Sequence, residues 1–156
     1  MRILWTWAAL IFVFDQITKY IIVITMDLRS VGEIDVWPPF INFRMAWNTG
    51  INFGLFSGQG DAARWILIAI ALAIVTFVLV WVRREPPGKM GMISAGFLVG
   101  GALGNVVDRV IYGAVADFLN LSCCGFENPY AFNVADIAVF MGAFGLIIFP
   151  HPKKAA

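Results

Sequence analysis

The hydrophobic residues of this chain fall into four long runs that more polar segments separate. The runs cover residues 3–24, 62–82, 90–107 and 131–150. A helix needs roughly 20 apolar residues to cross the hydrocarbon core of a bilayer, and each run is close to that length. The pattern therefore predicts an all-α membrane protein, with four transmembrane helices in one integral-membrane domain that covers residues 1–156.

The segment between the first and second runs shows a shorter period. Large apolar residues occupy every second position from Ile41 to Trp47, as in a strand with one apolar face. Two prolines precede this stretch and an Asn-Thr-Gly turn signal follows it. We expect a small β-sheet between helices one and two, a cradle on the outer membrane surface within residues 31–58, with the run from Phe53 dipping into the interface.

Composition makes lipid the solvent for these runs. Of the 156 residues, 60% are hydrophobic and 13% are charged, which is more apolar surface than one small water-soluble core can bury. The net charge is +1, and no basic stripe lies outside short clusters next to the predicted helices, which excludes a nucleic-acid partner. Membrane lipids are therefore the expected surroundings.

The positions of lysine and arginine predict the orientation, because basic loops stay on the cytoplasmic side. In a four-span arrangement one side carries Arg2, Arg83, Arg84, Lys89, Lys153 and Lys154. We therefore expect both termini and the loop between the second and third helices in the cytoplasm. Residues 25–61 and 108–130 are expected on the outer face.

Glycine recurs at every fourth position of the third helix, at Gly96, Gly100 and Gly104. Small residues at this spacing let another helix backbone approach closely in lipid. We therefore expect these glycines to serve helix packing, with contact to a substrate as the alternative.

Ionisable side chains inside apolar helices are costly, so each marks either function or an internal pair. Asp15 and Lys19 lie four residues apart on the first helix, which brings them to one face. We expect an internal ion pair that tethers this helix, with orientation of a substrate as the alternative.

A polar stripe climbs the outer end of the third helix. Spacings of four and three place Gly101, Asn105 and Asp108 on one face, and Arg109 follows. Asp117 comes eight residues after Arg109, in an apolar patch that we expect at the interface. Asp108 could instead cap the helix or pair with Arg109, and Asp117 could be a solvated loop acid.

The fourth helix opens with Asn133 and Asp136, which also share one face. Asn133 could simply cap this helix. Asp136 is expected about one turn inside an apolar span, with no basic residue on its helix before Lys153, so its partner must come from elsewhere. Two carboxylates, Asp117 and Asp136, are therefore expected at similar depth.

Paired carboxylates in a low-dielectric site indicate a hydrolytic reaction. They cannot both ionise, so they share a proton. The ionised acid takes a proton from an attacking water while the protonated acid polarises the scissile carbonyl. Asp108, beside Arg109, is better placed to stay ionised, whereas the apolar neighbours of Asp117 favour protonation. We therefore predict Asp117 and Asp136 as the catalytic pair.

The sequence predicts no cofactor and no metal. The only histidine, His151, lies at the predicted cytoplasmic end, and the adjacent Cys123 and Cys124 lack metal-ligand spacing. No Ser-His or Cys-His arrangement can be assembled near the polar residues.

Four blocks of residues occur in order along nearly the whole chain. They are Asp15-Gln-Ile-Thr-Lys19, Asn48-Thr-Gly50 with Phe53, Gly104-Asn105-Val-Val-Asp108-Arg109 followed by Val115-Ala-Asp117-Phe118, and Phe132-Asn133-Val-Ala-Asp136. In these blocks the chain resembles the lipoprotein signal peptidases, also called signal peptidase II. It departs from their usual pattern at Ile51, Asn52 and Ile137.

The resemblance implies a four-helix membrane fold with an extracytoplasmic β-cradle and a catalytic pair that matches Asp117 and Asp136. It implies an aspartic endopeptidase of the bacterial inner membrane, which cuts prolipoproteins before a diacylglyceryl-modified cysteine and which globomycin-type inhibitors block. We expect the protein to be a monomer. The residues that would line or support the site are Asn105, Asp108, Arg109, Asn133, Asn48, Asp15 and Lys19.

Two other functions fit parts of the pattern. One is a small proton-coupled carrier, in which Asp15, Lys19, Asp117 and Asp136 relay protons. A carrier should have polar residues toward both membrane faces, often on paired repeats, whereas these residues concentrate toward the outer face. The other is a noncatalytic scaffold whose glycine stripe binds another helix, which would leave the carboxylate pair unexplained.

Overall fold

A computed structural model describes residues 1–50, 60–123, 125 and 128–149 of the chain. In chain order the elements are α1 (Arg2–Lys19), which continues as a π-helical segment (Tyr20–Thr25), α2 (Leu28–Val31), β1 (Glu33–Trp37), β2 (Ile41–Asn48), α3 (Gly60–Arg84), α4 (Lys89–Tyr112), β3 (Val115–Leu121) and α5 (Val134–Ile148). Residues 51–59 are outside the described ranges, so the expectations for Ile51, Asn52 and Phe53 lie outside the described residues.

Three of the helices are long and apolar enough to cross a membrane. The spans are Arg2–Thr25, Ala62–Arg84 and Lys89–Tyr112, which confirms three of the four predicted runs. Apolar side chains such as Phe77 stay exposed on their outward faces, as expected where lipid is the solvent. The helix α4, which corresponds to the third predicted run, is longer than predicted, because Asp108 and Arg109 continue it rather than end it.

The helix α5, which corresponds to the fourth predicted run, is shorter than predicted. It has 15 residues and begins at Val134 rather than at residue 131. It begins there because the side chain of Asn133 accepts the backbone N–H of Asp136 at 2.9 Å, which caps the first turn. A helix of this length reaches about 22 Å, less than the roughly 30 Å of a hydrocarbon core. The described residues therefore do not confirm four spans.

The strands form one antiparallel sheet in the order β1-β2-β3. The predicted strand is β2, at the centre of the sheet, which confirms the sheet itself. The sheet was predicted from residues between the first two long helices only, and this prediction was incomplete, because the third strand, β3, follows α4. Neighbouring residues of β3 are buried whichever side they face, so this strand lacks the alternation that marked β2.

Glycines bring α1, α4 and α5 into close contact. A Cβ added at Gly96 would lie 2.7 Å from the carbonyl oxygen of Leu4 on α1. A Cβ at Gly101 would lie 2.5 Å from the carbonyl oxygen of Ala135 on α5. This packing confirms the structural role predicted for the glycine stripe. It also brings the polar side chains of the three helices into one region.

The turn after α4 directs β3 toward this region. Gly113 ends α4 with φ +79°, a left-handed conformation that favours glycine. Two residues later β3 begins, and the backbone N–H of Ala116 donates to Asp108 Oδ2 at 3.3 Å. The strand is thereby tied to the outer end of α4, with Asp117 next in the chain.

Candidate active site

Asp117 lies in the middle of β3 and is only 2% exposed. Its Oδ1 accepts a hydrogen bond from Asn133 Nδ2 at 2.6 Å, and its Oδ2 accepts one from Asn48 Nδ2 at 3.0 Å. Asn48 reaches it from the last position of the neighbouring strand β2. Asp117 is therefore not a solvated loop acid but a buried strand residue with two amide donors.

Asp136 lies in the first turn of α5 rather than a full turn inside an apolar span. Its Oδ1 accepts from Asn105 Nδ2 at 2.8 Å, and its Oδ2 accepts from the backbone N–H of Asn133 at 3.2 Å. With the reciprocal bond from Asn133 this makes a capping box. The capping role considered for Asn133 is thus real, and the same side chain also reaches Asp117.

Asn133 joins the two carboxylates, which we call the carboxylate pair. Its side chain is fully buried. Besides donating to Asp117, its amide nitrogen lies 3.2 Å from Asn105 Oδ1. Asp117 and Asp136 therefore meet at one polar centre, although one comes from the strand β3 and the other from the helix α5.

Burial raises the pKa of the Asp117 carboxyl to about 6 from its usual 3.8. The negative charge of Asp136 adds to this rise. The hydrogen bonds from Asn48 and Asn133 and the positive charge of Lys19 lower the pKa, but by less. The Asp117 carboxyl therefore holds a proton closer to neutral pH than an ordinary aspartate does.

A second group, which we call the ionic cluster, contains Asp15, Gln16, Lys19 and Asp108. Lys19 Nζ lies 2.8 Å from Asp15 Oδ2 and 2.7 Å from Asp108 Oδ2. Gln16 Nε2 donates to the same two carboxylates, each at 3.1 Å. The charged members are almost completely buried, and the predicted pair of Asp15 with Lys19 is confirmed.

The ionic cluster holds two contacts that sequence reasoning missed. The ion-pair partner of Asp108 is Lys19 on α1, not the adjacent Arg109. Nothing in the spacing signals this contact, because it joins residues on different helices. The place of Gln16 was also missed, although a polar side chain next to Asp15 inside an apolar helix is a signal in itself.

Arg109 is half-buried beside the carboxylate pair. Its Nη1 donates to the backbone carbonyl of Asn105 at 3.4 Å, and its buried Nε has no hydrogen-bond partner among the described residues. Its positive charge acts on the carboxylates of Asp136 and Asp117. None of the ion pairs in the described part of the chain joins it to a carboxylate, so within that part its Nε donor is not used.

An apolar groove opens next to Asp136. Its volume is about 340 Å³, and it is lined by Phe132, Asp136, Ile137, Phe140 and Met141. Ile137, where the sequence departs from the family pattern, thus lies in the groove wall. Within residues 1–50, 60–123, 125 and 128–149, no three His, Cys, Asp or Glu side chains are grouped so that they could hold a metal ion. His151 lies outside the described residues.

Comparison with known proteins identifies the family. The family model described as signal peptidase (SPase) II matches residues 7–150. The chain belongs to the signal peptidase II family. It is 40% identical to the lipoprotein signal peptidase of Alteromonas mediterranea over 149 residues, which cover 95% of this chain and 79% of that protein.

Other relatives of the family agree with this assignment. The lipoprotein signal peptidase of Methylorubrum extorquens is 46% identical over 110 residues, or 70% of this chain and 63% of the relative. A solved bacterial membrane enzyme structure, determined by the in meso method at 1.9 Å resolution, is 30% identical, with a TM-score of 0.78 over 92% of this chain and 88% of that one. A signal peptidase II is a hydrolase, and neither the carrier nor the scaffold finds support in these matches.

Proposed function

We propose that this chain is a membrane aspartic endopeptidase, with Asp117 and Asp136 as its catalytic pair. Its substrates would be bacterial prolipoproteins, cut just before the diacylglyceryl-modified cysteine. The observation that carries this proposal is that Asn133 contacts both carboxyl groups, donating its side-chain amide to Asp117 and its backbone N–H to Asp136. Donors of this kind orient two carboxyls without neutralising either one.

The proposed reaction uses one proton shared by the pair. The ionised carboxylate takes a proton from water as the water oxygen attacks the scissile carbonyl carbon. The protonated carboxyl donates a hydrogen bond to the carbonyl oxygen and stabilises its developing negative charge. When the C–N bond breaks, a proton passes to the leaving amine of the cysteine, and the signal peptide leaves as a carboxylic acid. The raised pKa of Asp117 supports a protonated partner near neutral pH.

The neighbouring polar residues have supporting roles in this proposal. Asn48, Asn105 and Asn133 hold the carboxyl groups through the hydrogen bonds described above. Arg109 has a donor, Nε, that is not used within the described residues, and we assign it to a substrate backbone carbonyl. Asp15, Lys19 and Asp108 brace the helices behind the site.

Apolar surfaces beside the site would bind the hydrophobic part of the substrate. The groove beside Asp136 is lined by apolar side chains, and a hydrophobic signal peptide fits such a surface. In our proposal α5 is a fourth membrane-spanning helix, because Phe140, Phe144 and Ile147 expose a continuous apolar face. The protein is then a monomer in the bacterial inner membrane, with cytoplasmic termini, an outward-facing active site and sensitivity to globomycin-type inhibitors.

Cleavage of a purified prolipoprotein tests this function directly. The protein, in detergent or lipid discs, is incubated with a prolipoprotein that carries the diacylglyceryl cysteine, and the products are identified by mass spectrometry. We expect a released signal peptide and a new N-terminal lipidated cysteine. Asp117→Asn and Asp136→Asn should each abolish cleavage, whereas Asp35→Asn, at an exposed carboxylate on β1, should cleave normally.

A chelator separates this mechanism from a metal-dependent one. Because a carboxylate activates the water in our proposal, cleavage should be unchanged in EDTA. Loss of cleavage in EDTA that returns when zinc is added would overturn the aspartic mechanism. Full cleavage by Asp117→Asn or by Asp136→Asn would overturn the assignment of the pair.

A further inference from the structure

One contact leaves the ionic cluster and leads toward the carboxylate pair. Lys19 Nζ lies 3.4 Å from Asn105 Oδ1, in addition to its ion pairs with Asp15 and Asp108. Asn105 in turn donates its amide to Asp136 Oδ1 at 2.8 Å. A continuous path of polar contacts therefore runs from a lysine on α1 to a carboxyl group on α5.

This path fixes the direction of the Asn105 amide. Asn105 Oδ1 faces two donors, Lys19 Nζ and Asn133 Nδ2. Rotating the amide by half a turn would place its NH₂ group against both donors and its oxygen against the Asp136 carboxyl. An ammonium group offers only donors, so Lys19 strongly favours the observed orientation. That orientation presents the NH₂ group to Asp136.

Lys19 itself has little freedom to move. It is 6% exposed, and two carboxylates on different helices hold its ammonium group at 2.7 and 2.8 Å. Asp15, in turn, accepts the backbone N–H of Ala135 at 2.9 Å, which anchors α1 to the first turn of α5. The donor that faces Asn105 is therefore held by the same helices that carry the site.

We propose that Lys19 is a positioning residue of the active site, which orients Asn105 so that the Asn105 amide holds the Asp136 carboxyl in its reactive position. This inference rests on the proposed function, because it assumes that Asp136 takes part in cleavage. Lys19 does not contact the carboxylate pair within hydrogen-bond distance. Its charge acts on Asp117 through space, and the positioning effect proposed here is the separate one that passes through the Asn105 amide. A tether without this role would stabilise the fold and leave turnover per folded molecule unchanged.

A double-mutant cycle between Lys19 and Asn105 tests the proposal. Lys19→Met, Asn105→Ala and the double variant are compared in the cleavage assay, with kcat and KM measured on folded protein. We expect Lys19→Met to lower kcat by about a hundredfold with KM nearly unchanged, because a displaced catalytic group costs rate rather than substrate affinity. In the Asn105→Ala background, Lys19→Met should have no further effect on kcat.

Removal of Lys19 alone leaves two buried carboxylates without their ammonium partner, so the cycle is repeated in an Asp108→Asn background. The formal charges of Asp15, Lys19 and Asp108 sum to −1. In the variant Lys19→Met/Asp108→Asn only Asp15 is charged, so the formal charge of the cluster is again −1. This variant keeps the charge of the cluster and the contacts of Asp15 with Gln16 and Ala135. The double variant is compared with the parent protein, whose cluster carries the same charge of −1, and with Asp108→Asn, which gives the effect of losing Asp108 alone.

Two results would overturn the inference. One is an unchanged kcat for Lys19→Met/Asp108→Asn relative to Asp108→Asn. The other is an equal fold-loss of kcat in the presence and absence of Asn105, which would show an effect that does not pass through the amide. Asp136→Asn is assayed alongside: if it cleaves normally, the proposed function fails, whereas an inactive Asp136→Asn with normal Lys19 variants refutes only this inference.

Discussion

The ionic cluster and the carboxylate pair are built from the same kind of residue but differ in what lies between the acids. In the ionic cluster, Lys19 stands between Asp15 and Asp108, within 2.8 Å of both. In the carboxylate pair, a neutral amide, Asn133, stands between Asp117 and Asp136. The two groups are neighbours, because Lys19 Nζ lies 3.4 Å from Asn105 Oδ1 and Asn105 donates to Asp136. A difference in location therefore does not explain the difference.

The partner between two acids decides what they can do. In the ionic cluster one ammonium group contacts carboxylates on two helices, so it links α1 to α4. Amide donors orient a carboxyl group but do not cancel its charge, so the second carboxylate favours retention of a proton. We therefore expect the ionic cluster to brace and position the site without taking part in proton transfer, and the carboxylate pair to exchange protons.

The largest expected difference is in activity. Asp136→Asn should lower kcat/KM for a lipidated prolipoprotein by roughly a thousandfold or more, because it removes a group that transfers a proton in the reaction. Asp108→Asn should retain measurable activity, because Asp108 contacts Lys19 and not the reacting atoms. Initial rates of cleavage at equal amounts of folded protein measure both.

If Asp108→Asn lost as much activity as Asp136→Asn while melting normally, the division into a structural and a catalytic group would be wrong. Asp108 would then become a candidate for the pair.

The next effect is on stability. Lys19→Met should lower the free energy of unfolding by about 3–5 kcal/mol, because two buried carboxylates lose their ammonium partner. Arg29→Met is a matched control, since Arg29 forms an exposed ion pair with Asp27 at 3.7 Å that should contribute little. Unfolding in a denaturing detergent, followed by circular dichroism, compares the two. An equal loss of unfolding free energy in both variants would contradict a stabilising role for the buried lysine.

A smaller effect should appear in the pH dependence of stability. The pKa of Asp117 is about 6 in the folded protein, above the usual 3.8. The folded state therefore binds this proton more tightly, and the contribution of Asp117 to stability falls as pH rises from about 4 to about 6. Asp117→Asn lacks this loss, so its stability relative to the parent protein should rise over the same window, by on the order of 3 kcal/mol at most.

Melting temperatures of both proteins between pH 4 and pH 8, roughly the range in which this carboxyl titrates, provide the measurement. The quantity compared is the melting temperature of Asp117→Asn minus that of the parent protein. A value that stays constant with pH, or that rises toward acid pH, would contradict a raised pKa for Asp117.

The smallest effect should come from Asn48. Its amide donates to Asp117 Oδ2 at 3.0 Å and lowers the pKa of that carboxyl. Asn48 is exposed, so water can replace this donor, and Asn48→Ala should reduce kcat by less than about tenfold. The pKa of Asp117 should move further above 6.

The pH profile of kcat/KM checks this shift, with Asn42→Ala on the same strand as the control. A downward shift for Asn48→Ala, or the same shift for Asn42→Ala, would show that Asn48 does not act on Asp117.

The sequence was sufficient for most of the fold. Long apolar runs predicted α1, α3 and α4 to within a few residues, and alternation predicted β2. The start of α5 was predicted three residues early, because Phe132 and Asn133 are compatible with the apolar run. The alternative considered for Asn133, a helix cap, gives the observed start. The strand β3 was missed because it is buried on both sides and has no alternating period.

What the sequence by itself determined is which chemical groups the apolar chain carries and which segments carry them. Charged residues are too few in an apolar chain to be placed at random, and spacing on a single helix predicted the pair of Asp15 with Lys19. The choice of Asp117 and Asp136 as the proposed catalytic pair, and the resemblance of the chain to signal peptidase II, also came from residues read in order.

Only the tertiary structure decided how these groups are partnered. Lys19 meets Asp108, and Asn133 meets Asp117, through contacts between separate elements. Such contacts depend on how closely the helix backbones approach, which the glycines of α4 allow, and on the turn at Gly113 that brings β3 back to the helix end. Spacing along one helix cannot encode either distance, because both arise from packing between helices and strand.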